Sequence, residues 1–141
     1  MQRTATAQWK GGLKDGKGTV STQSGVLSQT QYSFSTRFEN GVGTNPEELV
    51  AAAHAGCFSM ALSAQLGNAN MTAQTIDTKA TLTMEKTEAG FTITAIHLDV
   101  KARIPGGNKA AFDKGAEEAK KNCPISRLLN TKISMTASLE T

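Results

Sequence analysis

Residues 43–68 read GTNPEELVAAAHAGCFSMALSAQLGN, and this stretch decides the fold. Asn45 is a helix-capping residue, Pro46 suits the first helical position, where a missing N–H costs nothing, and Glu48 stands three residues after the cap. Glu47 and Glu48 also complement the positive end of the helix dipole. An alanine-rich run then carries a helix to about Leu66, where Gly67-Asn68 is expected to end it through a left-handed cap. Polar residues are sparse between Leu49 and Leu66, so the segment reads as a buried core helix, and as too weakly hydrophobic for a membrane span. Gly56 is a weak point in it, so two consecutive helices are expected, with Cys57 near the start of the second.

Before this stretch the chain is rich in Gly, Ser and Thr, with short strands expected at Thr4–Trp9, Gly18–Thr22 and Tyr32–Phe38. After it, Ile76, Ala80, Leu82 and Met84 alternate with Asp77, Lys79, Thr81 and Thr83, the period of a strand. A turn at Glu88-Ala89-Gly90 leads to a second alternating run. Its phase changes between Ile93 and Ile96, which calls for a bulge near Ala95–Ile96 before Leu98, Val100, Ala102 and Ile104. Asn108–Asn122 is an amphipathic helix, Pro124 opens another, and Lys132–Leu139 is the last strand. Strands at both ends around helical segments make the class α+β.

The 141 residues, 38% of them hydrophobic, suffice for one domain spanning 1–141 with an ordinary core. Lys and Arg number 15 against 12 Asp and Glu, but they are scattered and aromatics are few, which argues against a nucleic-acid surface. The first residues, MQRTATAQWKGG, hold no apolar run, so a cytoplasmic, reducing location is expected.

The two cysteines, Cys57 and Cys123, stand 66 residues apart with no second cysteine or histidine pair beside either. That spacing excludes a CxxC redox motif, a zinc ribbon and a disulfide-dense scaffold, and no metal site is expected. Cys57 lies in the most apolar stretch, where a buried hydrophobe is the plain reading, whereas a helix start would favour its thiolate. Cys123, in Asn122-Cys123-Pro124, falls at a helix start and is either a cap substitute or a reactive thiol. Two such thiols suit a reactive cysteine with a resolving partner. His54, three residues before Cys57, shares its helix face, so a Cys–His nucleophile pair is a weaker reading beside a packing histidine. His97 falls in the outward phase of its strand. Glu47 and Glu48 precede Cys57 by roughly 14–15 Å along a straight helix, too far to touch it. Arg37, in Phe34-Ser35-Thr36-Arg37-Phe38, reads as a strand arginine.

Taken together, GKGTVSTQSGVL, YSFSTRF, GTNPEELVAAAHAGCFSMALS, TKATLTMEK and NCPISRLL resemble the OsmC/Ohr family of thiol-dependent peroxidases, in its OsmC branch, over essentially the whole chain. The resemblance implies antiparallel sheets wrapping central helices in an intertwined homodimer. It implies that Cys57 is the peroxidatic and Cys123 the resolving cysteine, joined as a disulfide during turnover, with Arg37 and Glu47 bracketing the reactive thiol and Glu47 holding the guanidinium in bidentate geometry. Gly56 stands where alanine is more usual in this motif. The implied substrate is an organic hydroperoxide, favoured by an apolar lining around Leu49, Phe58 and Met60; the implied reductant is a lipoyl-type dithiol, and no bound cofactor is implied. A non-enzymatic stress-related binding protein of the same fold is the alternative.

Overall fold

The computed structural model describes residues 1–141, which divide into two compact units, Met1–Leu49 and Val50–Thr141. The first unit carries a three-stranded antiparallel sheet of β1 (Ala5–Lys10), β2 (Lys17–Thr22) and β3 (Thr30–Tyr32) in that order. Every residue of β1 is exposed, so backbone pairing rather than burial holds this strand. Trp9 and Tyr32 place their rings 5.5 Å apart across Gly18, where a Cβ would collide with both rings.

The third expected strand stops at Tyr32, and Phe34–Phe38 forms a helical turn, α1. Its cause is local. The Ser33 hydroxyl accepts from the Thr36 N–H at 3.3 Å, and the Ser33 N–H donates to the Thr36 hydroxyl at 2.8 Å, a closed capping box that outweighs the strand propensity of the aromatics.

The helix α2 runs unbroken from Pro46 to Asn68, so Gly56 does not split it and Cys57 lies in its middle. Nothing lies within 4 Å of where a Gly56 Cβ would be, so the glycine is tolerated without a backbone change. Asn45 Oδ1 accepts from the Glu48 N–H at 2.8 Å as the cap requires, but the Glu48 carboxylate takes its bond from the Thr44 hydroxyl at 2.6 Å. The far end closes on Asn70, the left-handed residue at φ 57°, with the Met71 N–H bonded to the Leu66 carbonyl, rather than on Gly67. Length and composition would let α2 cross a membrane, contrary to the expectation from its alanine content. Its burial is one-sided: His54, Phe58, Leu62 and Leu66, four apart, form the covered stripe, while Ala52, Ala53, Gly56 and Met60 are exposed.

The second unit packs that stripe on a sheet of β4 (Thr75–Thr87), β5 (Gly90–Arg103) and β6 (Lys132–Glu140), with β5 central. The pair β4–β5 is antiparallel, and Thr83 faces Ala95 while Met84 faces Ile93, so the bulged residue is Thr94, just before the expected place. From there Ile96, Leu98, Val100 and Ala102 are all buried. The pair β5–β6 is parallel, so this sheet is mixed rather than wholly antiparallel; the crossover that a parallel pair needs is supplied by α3 (Lys109–Asn122) and α4 (Pro124–Leu128). From α3, Phe112, Ala116 and Ala119 complete the core.

Candidate active site

Within Val50–Thr141 the fold brings the two cysteines together at the start of α4. Asn122-Cys123-Pro124 ends α3 and begins α4 as the sequence suggests, with Cys123 as cap and Pro124 at the first helical position. The Cys123 sulfur accepts from the Ser126 N–H at 3.3 Å, and its thiol donates to the Ser126 hydroxyl at 3.1 Å. Cys57, from the middle of α2, lies near enough to the Ile125 N–H and to Cys123 for both to act on its thiol. Cys57 thus draws on a helix start, although that helix is α4 and not its own. Both cysteines are free thiols; Cys57 is half-buried and Cys123 is only 1% exposed.

The electrostatics of Cys57 run against a resting thiolate. Burial pushes its thiol above the ordinary cysteine range, the Ile125 N–H pulls it back, and the bond and charge interaction with Cys123 push it up again. Within this unit, no cation is recorded beside the sulfur to reverse that balance.

His54 belongs to the same cluster. It is fully buried, its Nε2 lies 2.7 Å from the Ser126 hydroxyl, and Nδ1 has no partner. Burial holds its imidazole below the ordinary range, so it is neutral at pH 7. His54 is therefore linked to Cys123 through Ser126. Ser126 was not singled out by the sequence; its only signal there is the third position of a helix capped by Cys123. His97 bonds instead across the sheet to Ser134 at 2.6 Å and Thr136 at 3.2 Å.

Within Met1–Leu49, Arg37 and Glu47 form an ion pair. Asn45 ties the two short segments that carry them, its side-chain N–H donating to the Thr36 carbonyl at 3.1 Å while its oxygen caps α2. The Arg37 Nε and Nη2 donate to one carboxylate oxygen, Glu47 Oε1, at 2.9 and 2.7 Å. The expected two-oxygen fork is not formed: Glu47 Oε2 is buried without a partner. The Arg37 guanidinium also lies 5.3 Å from the centre of the Phe38 ring. Beside it opens a cavity of about 290 Å³ lined by Trp9, Leu13, Tyr32, Phe34, Arg37 and Phe38, among others. The expected apolar lining around Leu49, Phe58 and Met60 does not assemble, because Phe58 is fully buried and Met60 is 78% exposed on the same helix.

The family model described as OsmC-like protein matches residues 38–138. The chain is 49% identical over 140 residues to peroxiredoxin OsmC of Escherichia coli, covering 99% of this chain and 98% of that protein. It is 31% identical over 91 residues to organic hydroperoxide resistance protein-like 2 of Staphylococcus epidermidis, covering 63% of this chain and 62% of that one. Among solved structures, an OsmC-like protein of unknown function from Vibrio cholerae superposes with a TM-score of 0.77 at 17% identity, over 98% of this chain and 99% of that one. The organic hydroperoxide resistance protein OhrB of Bacillus subtilis does so at 0.68 and 22%, over 97% and 98%. The chain belongs to the OsmC/Ohr family, in its OsmC branch.

Proposed function

We propose that the chain is a cytoplasmic thiol peroxidase that reduces organic hydroperoxides through a Cys57 sulfenic acid and a Cys57–Cys123 disulfide. The observation that carries this reading is the pair of neighbouring thiols at the start of α4, one half-buried and one buried. Cys57 as thiolate attacks the terminal peroxide oxygen; the S–O bond forms, the O–O bond breaks, and the alkoxide leaves and takes up a proton as alcohol. Cys123 then attacks the Cys57 sulfur, forming the S–S bond and releasing water. A dithiol of the lipoyl type reduces the disulfide by thiol exchange.

A thiol raised by burial needs a cation to ionise at pH 7, and Arg37 is the proposed source of that charge and of the charge that stabilises the leaving alkoxide. Glu47 is its orienting carboxylate. In this reading residues 1–141 act as one functional domain, because the charged pair and the thiols come from different units. The aromatic cavity beside Arg37 supports an alkyl or aryl hydroperoxide over hydrogen peroxide. A second copy of the chain is the proposed cover for the exposed face of α2, where Met60 projects, and for the exposed β1. The raised Cys57 thiol is the one observation that favours a non-enzymatic binding protein instead.

Native mass spectrometry after one equivalent of cumene hydroperoxide tests the thiol chemistry and the dimer. The expected species is a dimer in which each chain has lost the mass of two hydrogens within seconds, with no such loss in Cys57→Ser. Turnover retained in Cys57→Ser sinks the mechanism, and an unchanged thiol count in the parent favours the binder. A particle of 14.8 kDa removes the dimer.

A further inference from the structure

The mechanism above leaves a buried base unused. His54 is fully buried and Ser126 is 7% exposed, and together with Cys123 they form a closed line of hydrogen bonds. The Cys123 thiol donates to Ser126 Oγ at 3.1 Å, so the Ser126 hydroxyl proton needs a different acceptor. His54 Nε2 lies 2.7 Å from the Ser126 oxygen. In the tautomer protonated on Nδ1, the nitrogen without a partner, Nε2 offers its lone pair to the Ser126 proton. A purely structural histidine would be expected to satisfy Nδ1 as well; leaving it bare costs on the order of 1–3 kcal/mol.

We propose that His54, acting through Ser126, is the proton acceptor for the resolving thiol Cys123. The inference rests on the peroxidase reading and concerns its second step only. When the Cys57 sulfenic acid is present, the Cys123 proton passes to Ser126 Oγ while the Ser126 proton passes to His54 Nε2. The Cys123 sulfur forms the S–S bond and the Cys57 S–O bond breaks. The departing hydroxide takes a proton and leaves as water, and His54 returns to neutral. Cys123 is oxidised, the Cys57 sulfur is reduced, and no further reagent is consumed. A thiol only 1% exposed has poor access to water as a base, which is why an internal acceptor matters here. His54 is a positioning and relay residue, since it reaches the sulfur only through Ser126.

The test separates the two steps in the full-length protein by rapid quench after stoichiometric cumene hydroperoxide. Dimedone-trapped Cys57 sulfenic acid and the Cys57–Cys123 disulfide are both counted by mass. Glutamine can keep a hydrogen bond to Ser126 but cannot take up a proton, so His54→Gln discriminates base from mere support. The expected result is a sulfenic acid formed at close to the parent rate and a disulfide closing between about ten- and a hundredfold more slowly. Ser126→Ala, which keeps the backbone N–H to Cys123 and removes the hydroxyl, is expected to do the same and carries the test if His54→Gln does not fold. Closure at the parent rate in His54→Gln overturns the proposal, as does equal slowing of both steps. A parent that forms no sulfenic acid instead overturns the peroxidase reading beneath it.

Discussion

The two units keep their shape by different means. Val50–Thr141 has a core of Phe58, Leu62, Leu66, Ile96, Leu98 and Phe112, with Cys123 inside that core and Cys57 packed against it. Met1–Leu49 has few buried residues; Gly16, Gly18, Thr36 and Thr44 are the ones. It is held by strand pairing, one capping box, an aromatic pair and the Arg37–Glu47 ion pair. The difference teaches where each kind of group belongs. A thiol that must be shielded from water is housed where packing is dense, and the charged pair is housed where it is sparse, its Arg37 guanidinium 40% exposed.

The comparison breaks first on stability. Phe112 is fully buried against α2 and the sheet, so Phe112→Ala should cost about 3–5 kcal/mol and lower the thermal midpoint by more than about 10 °C. Trp9, 37% exposed in the first unit, should cost less than about 1.5 kcal/mol when changed to alanine. Equal losses in the two variants, read by differential scanning calorimetry, would show that both units depend on burial alike.

A smaller effect sharpens the functional half. Arg37→Lys keeps the charge but loses the planar fork onto Glu47 Oε1. Oxidation of Cys57 by cumene hydroperoxide should slow about tenfold, one step of 1.4 kcal/mol, as a misplaced charge stabilises the leaving oxygen less well. The thermal midpoint should barely move, because Arg37 is 40% exposed and such pairs contribute about 0–1 kcal/mol. A variant with unchanged kinetics and a much lower midpoint would make the pair structural.

How much of this was legible in the sequence follows the same division. The core unit announces itself by periodicity: Ile96, Leu98, Val100 and Ala102 alternate, and the Asn122-Cys123-Pro124 junction is a local signal that holds in the structure. The first unit is decided by single side chains instead. Phe34 to Phe38 looks like a strand until Ser33 and Thr36 close their box, and no apolar pattern reports that. The site divides similarly. The Cys123 cap is local and readable, whereas the meeting of Cys57 with Cys123, and of His54 with Ser126, 72 residues away, depends on how α2 packs against α4. Of the two readings open for Cys57, packing decides: desolvation raises its thiol, and the one helix start that acts on it belongs to another segment.

The smallest expected effect isolates what burial does to a charge in the core unit. Burial lowers the proton affinity of His54 in the folded chain, while in the unfolded chain the imidazole protonates near its ordinary value of about 6.5. Below that value the unfolded state binds a proton that the folded state refuses, so this residue removes stability as the pH falls through it and adds nothing above it. Thermal midpoints of the parent should therefore drop between pH 7.5 and pH 5 by a few degrees more than those of His54→Gln, which has no such proton to bind. Cys57 has the opposite sign and a separate window, its raised thiol weakening the fold only above the ordinary thiol range, so it does not contaminate the acid measurement. Equal acid drops in parent and variant would mean that the folded chain accommodates the imidazolium. The core unit would then tolerate a buried charge after all, and the separation of charges from thiols between the units would need a different cause.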